Sequence, residues 1–156
     1  MPSKLLVSSL MVAALSATAC GSSSSSSSRG SAASRPKRLA GPIYHVKLTG
    51  KAETPRGAPH GAGNAVIALH DHAREVCWRF SRLHGFSGAT FSHVHRAPPG
   101  KSGPIVVPLS TVGKLHHRGC VHVSASVLGA IAKDPHAYYV NIHSTAYPGG
   151  AVRGQL

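Results

Sequence analysis

Acidic residues are almost missing from this chain. Four Asp and Glu stand against 17 Lys and Arg in 156 residues, and the formal net charge is +13 at pH 7. So few carboxylates argue against paired-carboxylate chemistry. They also leave no carboxylate to orient a triad around His143, Ser144 and Thr145. Aromatic residues make up 5%, and they rarely interleave with the basic ones. No specific nucleic-acid platform is therefore expected. A Gly-x-Ser-x-Gly elbow, a phosphate loop and a Cys-x-x-Cys pair are all absent. The stretch Leu5 to Leu15 is mostly apolar but too short to span a bilayer. Cysteines number three, an odd count for an oxidising compartment.

What the chain does have is turn chemistry. Seventeen Gly and 11 Pro separate short runs rich in Val, Ile and Thr. That pattern favours a β-rich domain over a helical bundle. The excess positive charge suits anionic partners such as phosphate-rich envelope polymers or anionic lipid. The plainer reading is a solvated basic surface, because the basic residues are scattered along the sequence.

The N-terminus reads as a secretory signal over residues 1–19. Lys4 precedes the apolar stretch, and Ala17-Thr18-Ala19 is the small-x-small pattern of a cleavage site. Cys20 follows, then Gly21 and a serine run, and this resembles the bacterial lipobox. Lipidation of Cys20 would anchor the mature protein to the membrane. It would also leave Cys77 and Cys120 as an even pair, expected as a disulfide in an extracytoplasmic setting. The alternatives are ordinary secretion with a free Cys20 thiol, and two buried thiols at Cys77 and Cys120. Residues 20–42 form a Ser/Gly-rich tether that cannot bury apolar surface.

The folded domain is expected over 43–156. Strand patterns run through Ile43–Thr49, Asn64–Leu69, Arg74–Leu83, Ala89–His95, Ile105–Leu109, Cys120–Val123, Ala137–His143 and the closing Ala151–Leu156. Val76, Trp78 and Phe80 share one face as core candidates, with Cys77 and Arg79 on the other. Ser124 to Lys133 is the one convincing helix, capped by Ser124 or Ser126 and ended at Asp134-Pro135. The implied fold is all-β, an antiparallel β-sandwich or flattened Greek-key barrel with one short crossover helix.

The segment most loaded with chemistry is Phe91 to Leu109, FSHVHRAPPGKSGPIVVPL. His93 and His95 lie one residue apart on a strand and project from the same face. His143 arrives on a late strand whose face also carries Tyr139 and Asn141. Three neutral imidazoles converging in this way suit Zn(II) or Cu(II), with a position left open. The competing reading is a buried polar network. Histidines, Asn141 and backbone carbonyls would then pin the Arg96–Pro104 loop to the last strands.

The same residues carry a family resemblance. His93-Val94-His95, Gly100, Gly103-Pro104-Ile105-Val106-Val107, the small-residue helix Ser124–Ala132, Tyr139-Val140-Asn141-Ile142-His143, Pro148-Gly149-Gly150 and Arg153-Gly154-Gln155-Leu156 together resemble the CHRD domain family, named for the repeated domain of chordin. The resemblance covers about residues 43–156. It implies a β-sandwich that is extracytoplasmic in bacteria, and no settled activity. Ala151 departs from the family's frequent Glu, which removes a carboxylate partner for Arg153. The His-x-His strand is also similar to the copper pair of Cu/Zn superoxide dismutase, but no matching Asp-bearing zinc loop is present. The expected function is an extracytoplasmic, lipid-anchored binding module without an assigned reaction. The alternative is a mononuclear copper or zinc protein using His93, His95 and His143, with redox activity at that metal as a further variant.

Overall fold

The computed structural model describes residues 41–156. The signal segment, Cys20 and the tether up to residue 40 lie outside the described residues. Eight strands follow in order: β1 (Ile43–Thr49), β2 (Ala62–His70), β3 (Glu75–His84), β4 (Ala89–Arg96), β5 (Ile105–Ser110), β6 (Arg118–His122), β7 (Tyr138–Ser144) and β8 (Val152–Gln155). One helix, α1 (Ala125–Lys133), links β6 to β7, with a 3₁₀ turn at Pro135–Ala137. Ser124 caps the helix, its hydroxyl accepting from the Val127 amide. Asp134-Pro135 closes it, since a residue before proline leaves the helical region.

The strands form one antiparallel sheet in the order β5-β4-β7-β8-β1-β2-β3-β6. The sheet curls on itself, so the flattened barrel describes it better than two separate sheets. Its edges β5 and β6 are bridged by their connecting segment. The His116 amide donates to Ser110 Oγ at 2.7 Å, and the Phe80 amide donates to the His117 carbonyl at 2.7 Å. Between them Leu115 is buried and plugs the seam.

Alternation decides what is inside. Val46, Leu48, Ile67, Leu69, Val76, Trp78, Phe80, Val94, Val140, Ile142 and Val152 fill the interior, joined by Leu128 and Ile131 of α1. Burying a large aliphatic or aromatic side chain contributes about 1.5–3 kcal/mol. Trp78 also donates Nε1–H to the His116 carbonyl at 2.9 Å. On the opposite side of β3, Cys77 pairs with Cys120 of β6 in register, and the two form a disulfide. Among the described residues no helix is long and apolar enough to cross a membrane.

Candidate functional site

The outward face of β4, β7 and β8 is not solvated in the usual way. Register sets His93 opposite Asn141, and Asn141 opposite Arg153. It sets His95 opposite Tyr139, and Tyr139 opposite Gln155. Bulges on both sides of β4 adjust these pairings: β5 gains residues against β4, and β4 gains one against β7. Pro108 cannot donate to a ladder, which suits its place on an edge strand. Bulges of this kind re-aim side chains near sites.

Two loops cover this face. The first is Ala97–Pro104, between β4 and β5. Arg153 reaches under it, donating to the Lys101 carbonyl at 2.7 Å and the Pro98 carbonyl at 3.0 Å. Gln155 Nε2 donates to the Ala97 carbonyl at 2.8 Å and the His136 carbonyl at 2.7 Å. The Tyr139 ring is packed between the Arg153 guanidinium, 3.3 Å from its centroid, and the His95 ring, stacked at 4.7 Å. The second loop runs from Gly50 to Gly61, tied to Ala151 through the Ala58 amide. Ser102 Oγ links the two loops by donating to the Thr54 carbonyl at 2.7 Å. Under this cover Arg153 is 1% exposed and Asn141 2%.

The second loop supplies a group that the sequence reading missed. Ala151 leaves Arg153 without a neighbouring carboxylate in β8, but the negative charge comes instead from Glu53, which acts on Arg153 across space. Glu53 is buried, and burial pushes its pKa up to about 6, against the opposing pull of the Asn141 side chain and Arg153. Its Oε1 has no hydrogen-bond partner. Gly150, at φ 138, gives it room, because a Cβ there would collide with the carboxylate. A lone Glu in a Pro/Gly loop gives no periodicity signal that could have marked it.

The structure brings together all three histidines. A nitrogen from each of His93, His95 and His143 lies within 4.8 Å of the other two. The proton positions follow from their partners. His95 Nδ1 lies 2.9 Å from the Gly103 carbonyl, and His143 Nδ1 lies 2.8 Å from the Pro148 carbonyl. A carbonyl only accepts, so both Nδ1 atoms carry hydrogen and both Nε2 atoms carry lone pairs when the rings are neutral. His93 Nδ1 donates to His143 Nε2 at 3.2 Å, and Asn141 Nδ2 donates to the same atom at 3.0 Å. His95 Nε2, however, faces Asn141 Oδ1 at 3.1 Å. In the neutral site that contact sets one lone pair against another. Turning the Asn141 amide over moves the mismatch to His143 without removing it.

A proton on His95 would resolve the mismatch, and burial opposes it. Desolvation lowers the His95 pKa, outweighing the raising effect of Gly103 and Asn141. Desolvation, then the charges of His143 and His95, lower His93 to about 4. Burial thus favours the neutral ring at both His93 and His95. Beside them opens a cavity of about 230 Å³ lined by Thr90, Phe91, His143, Ser144, Thr145 and Pro148. Phe91 stacks on His93 with ring centroids 6.4 Å apart. Among the described residues, the Ser144 and Thr145 hydroxyls at this face are not hydrogen-bonded to a side-chain base.

Both arrangements weighed from the sequence use the same atoms here, since the loop clamp holds the rings that converge. Cys77 and Cys120 lie on the other half of the sheet, away from this face. In comparisons with known proteins, the family model described as CHRD domain matches residues 44–156. No curated protein and no solved structure matches the chain at a significant level.

Proposed function

The chain belongs to the CHRD domain family, and from that premise we propose a binding module held outside the cytoplasm, whose histidine face takes one zinc or copper ion. The observation that carries the metal reading is the set of His95 and His143 Nε2 lone pairs, aimed inward because Gly103 and Pro148 carbonyls hold both Nδ1–H groups. Metal-binding histidines characteristically donate their other N–H to a carbonyl or carboxylate in this way. A cation also removes the lone-pair conflict at Asn141. Three nitrogen ligands leave a further position, and the Phe91-lined cavity opens beside it. The binding role is favoured over catalysis because the remaining polar groups of the face are engaged in holding loops.

Titration of the EDTA-stripped full chain with Zn(II) and Cu(II) tests this. One tight site per chain is expected, lost in His95→Ala and retained in the loop variant His116→Ala/His117→Ala. Binding that survives His95→Ala and His143→Ala but disappears with the loop pair would refute it. Turnover of superoxide by the copper-loaded chain would overturn the non-catalytic part. The extracytoplasmic anchor is supported by Ala17-Thr18-Ala19-Cys20 and by a disulfide that suits an oxidising compartment. An intact mass of membrane-fraction protein carrying a diacylglyceryl group on Cys20 is expected, and the unmodified mass of a chain starting at Cys20 would contradict it.

A further inference from the structure

Among the described residues, the outward face of β1, β2, β3 and β6 has no covering loop, and its chemistry is different. Register sets His45 opposite Val66, Val66 opposite Arg79, and Arg79 opposite Arg118. Lys47 lies opposite Asn64, and Asn64 opposite Ser81. His45, Lys47, Arg79 and Arg118 are all exposed. Arg79 and Arg118 are thus like charges directly across a ladder, an arrangement that repels. Neither arginine forms an ion pair with an acid among the described residues. Glu75 sits at the far end of β3, where it meets His122 at 3.4 Å, and Glu53 is buried under the other half of the sheet.

A second observation comes from the backbone. Arg82 has φ 52, in the left-handed region that non-glycine residues rarely adopt. It lies in a bulge, where Arg82 and Leu83 of β3 together oppose Gly63 of β2. A regular strand would send Ser81 and Arg82 to opposite faces. Both border one groove of about 390 Å³, together with His45, Lys47, Asn64 and Val66 and the backbone beside the core residues Val46 and Ala65. Arg74, in the turn between β2 and β3, shares this φ of 52, but Arg82 alone combines it with a bulge beside the groove.

We propose that this groove and the adjoining Arg79–Arg118 pair form a docking surface for a linear, base-free phosphodiester polymer of the polyol-phosphate kind. The proposal rests on the binding-module reading but not on the histidine site, with which it shares no residue. A phosphate presents oxygens in several directions and can bridge two guanidinium forks. A carboxylate has two coplanar oxygens that a single fork occupies. Ser81 and Asn64 add uncharged donors for hydroxyls along the polymer backbone. Among the described residues the face carries no Phe, Tyr or Trp for stacking bases. Its one large exposed apolar residue is Ile43, 52% exposed, too little for insertion into a bilayer.

The test is fluorescence anisotropy of a labelled poly(glycerol phosphate) chain with the full protein, at low and raised salt. Saturable, salt-sensitive binding is expected. Arg79→Glu/Arg118→Glu should weaken it by about tenfold or more. Arg82→Gly should weaken it while the melting temperature holds or rises, because glycine takes a positive φ without strain. Lys51→Glu/Arg56→Glu makes the same charge change in the Gly50–Gly61 loop and should leave binding nearly unchanged. An equal loss in that pair would reduce the effect to net charge and overturn the proposal. So would equal competition by polyglutamate or a thymidine oligonucleotide, or binding to phosphatidylglycerol vesicles in preference to the polymer. Recovery of shortened polymer would instead end the binding-module reading, and none of these outcomes changes the metal stoichiometry at the histidines.

Discussion

Replacing Arg153 with Met tests the physical core of the covered face. Arg153 is 1% exposed, so its charge has been taken out of water, and the surroundings must compensate for that. They do so through carbonyls of Lys101 and Pro98, the Gln155 side chain, the Tyr139 ring and the Glu53 charge. Methionine keeps the apolar stem and removes the guanidinium. Hydrogen bonds to a charged group are worth about 1.5–3 kcal/mol each, and the recovered desolvation of Arg offsets much of their sum. What does not recover is Glu53, left buried with its counter-charge gone. Breaking such an arrangement from one side costs about 3–5 kcal/mol, and that is the loss expected in urea unfolding of Arg153→Met near neutral pH. At pH 5 the loss should shrink, because Glu53, already raised to about 6, rises further and takes up a proton. Adding Glu53→Gln to Arg153→Met should restore part of the stability, since the pair is coupled. Amide exchange should quicken at Lys101 and Gly103, whose loop loses its clamp. A loss below about 1 kcal/mol, or the same loss whether position 53 is Glu or Gln, would refute the reasoning.

Three further outcomes follow from other parts of the structure. In the EDTA-treated chain, His93 stays neutral down to about pH 4 while the unfolded ring protonates near 6.5. Its contribution is therefore present above 6.5 and lost as pH falls toward 4, at most about 3 kcal/mol before solvent screening reduces it. Glu53 acts with the opposite sign between 4.5 and about 6, so the slope should steepen in Glu53→Gln and flatten in His93→Leu, read from urea midpoints across that range. The Cys77→Ser/Cys120→Ser variant opens a loop spanning 43 positions and should lose about 4 kcal/mol on the loop-entropy relation; an unchanged urea midpoint would contradict it. Gly119→Ala would set a Cβ 2.6 Å from the Trp78 ring and should destabilise by about 1–3 kcal/mol with altered tryptophan fluorescence; a wild-type spectrum and melting temperature would contradict it.

The strands were legible because their alternation is clean. Val76, Trp78 and Phe80 point inward, and Tyr139, Asn141 and His143 share the outward side, as period two requires. Boundaries moved by a residue or two: β6 begins at Arg118, and β7 starts at Tyr138 behind a 3₁₀ turn. The pairing of β4 with β7, which creates the histidine cluster, was not legible, because hydrophobic patterns assign faces and not neighbours. Convergence of the three imidazoles was an expectation drawn from strand faces, without the register that joins β4 to β7. Glu53 could not be found from the chain, since burial there comes from loop packing. Arg82 was equally hidden: a bulge depends on a mismatch between two strands, and neither strand shows it alone.

Whether three imidazole nitrogens share one ion is measured most directly by nitrogen NMR of the zinc-loaded full chain. Long-range proton–nitrogen correlation spectra should show Nε2 of His95 and His143, and one nitrogen of His93, shifted together to metal-bound values, with Nδ1–H retained on His95 and His143. If instead those rings keep their free shifts while zinc moves the resonances of His116, His117 or His122, the histidine face is a loop clamp alone and the metal reading is wrong.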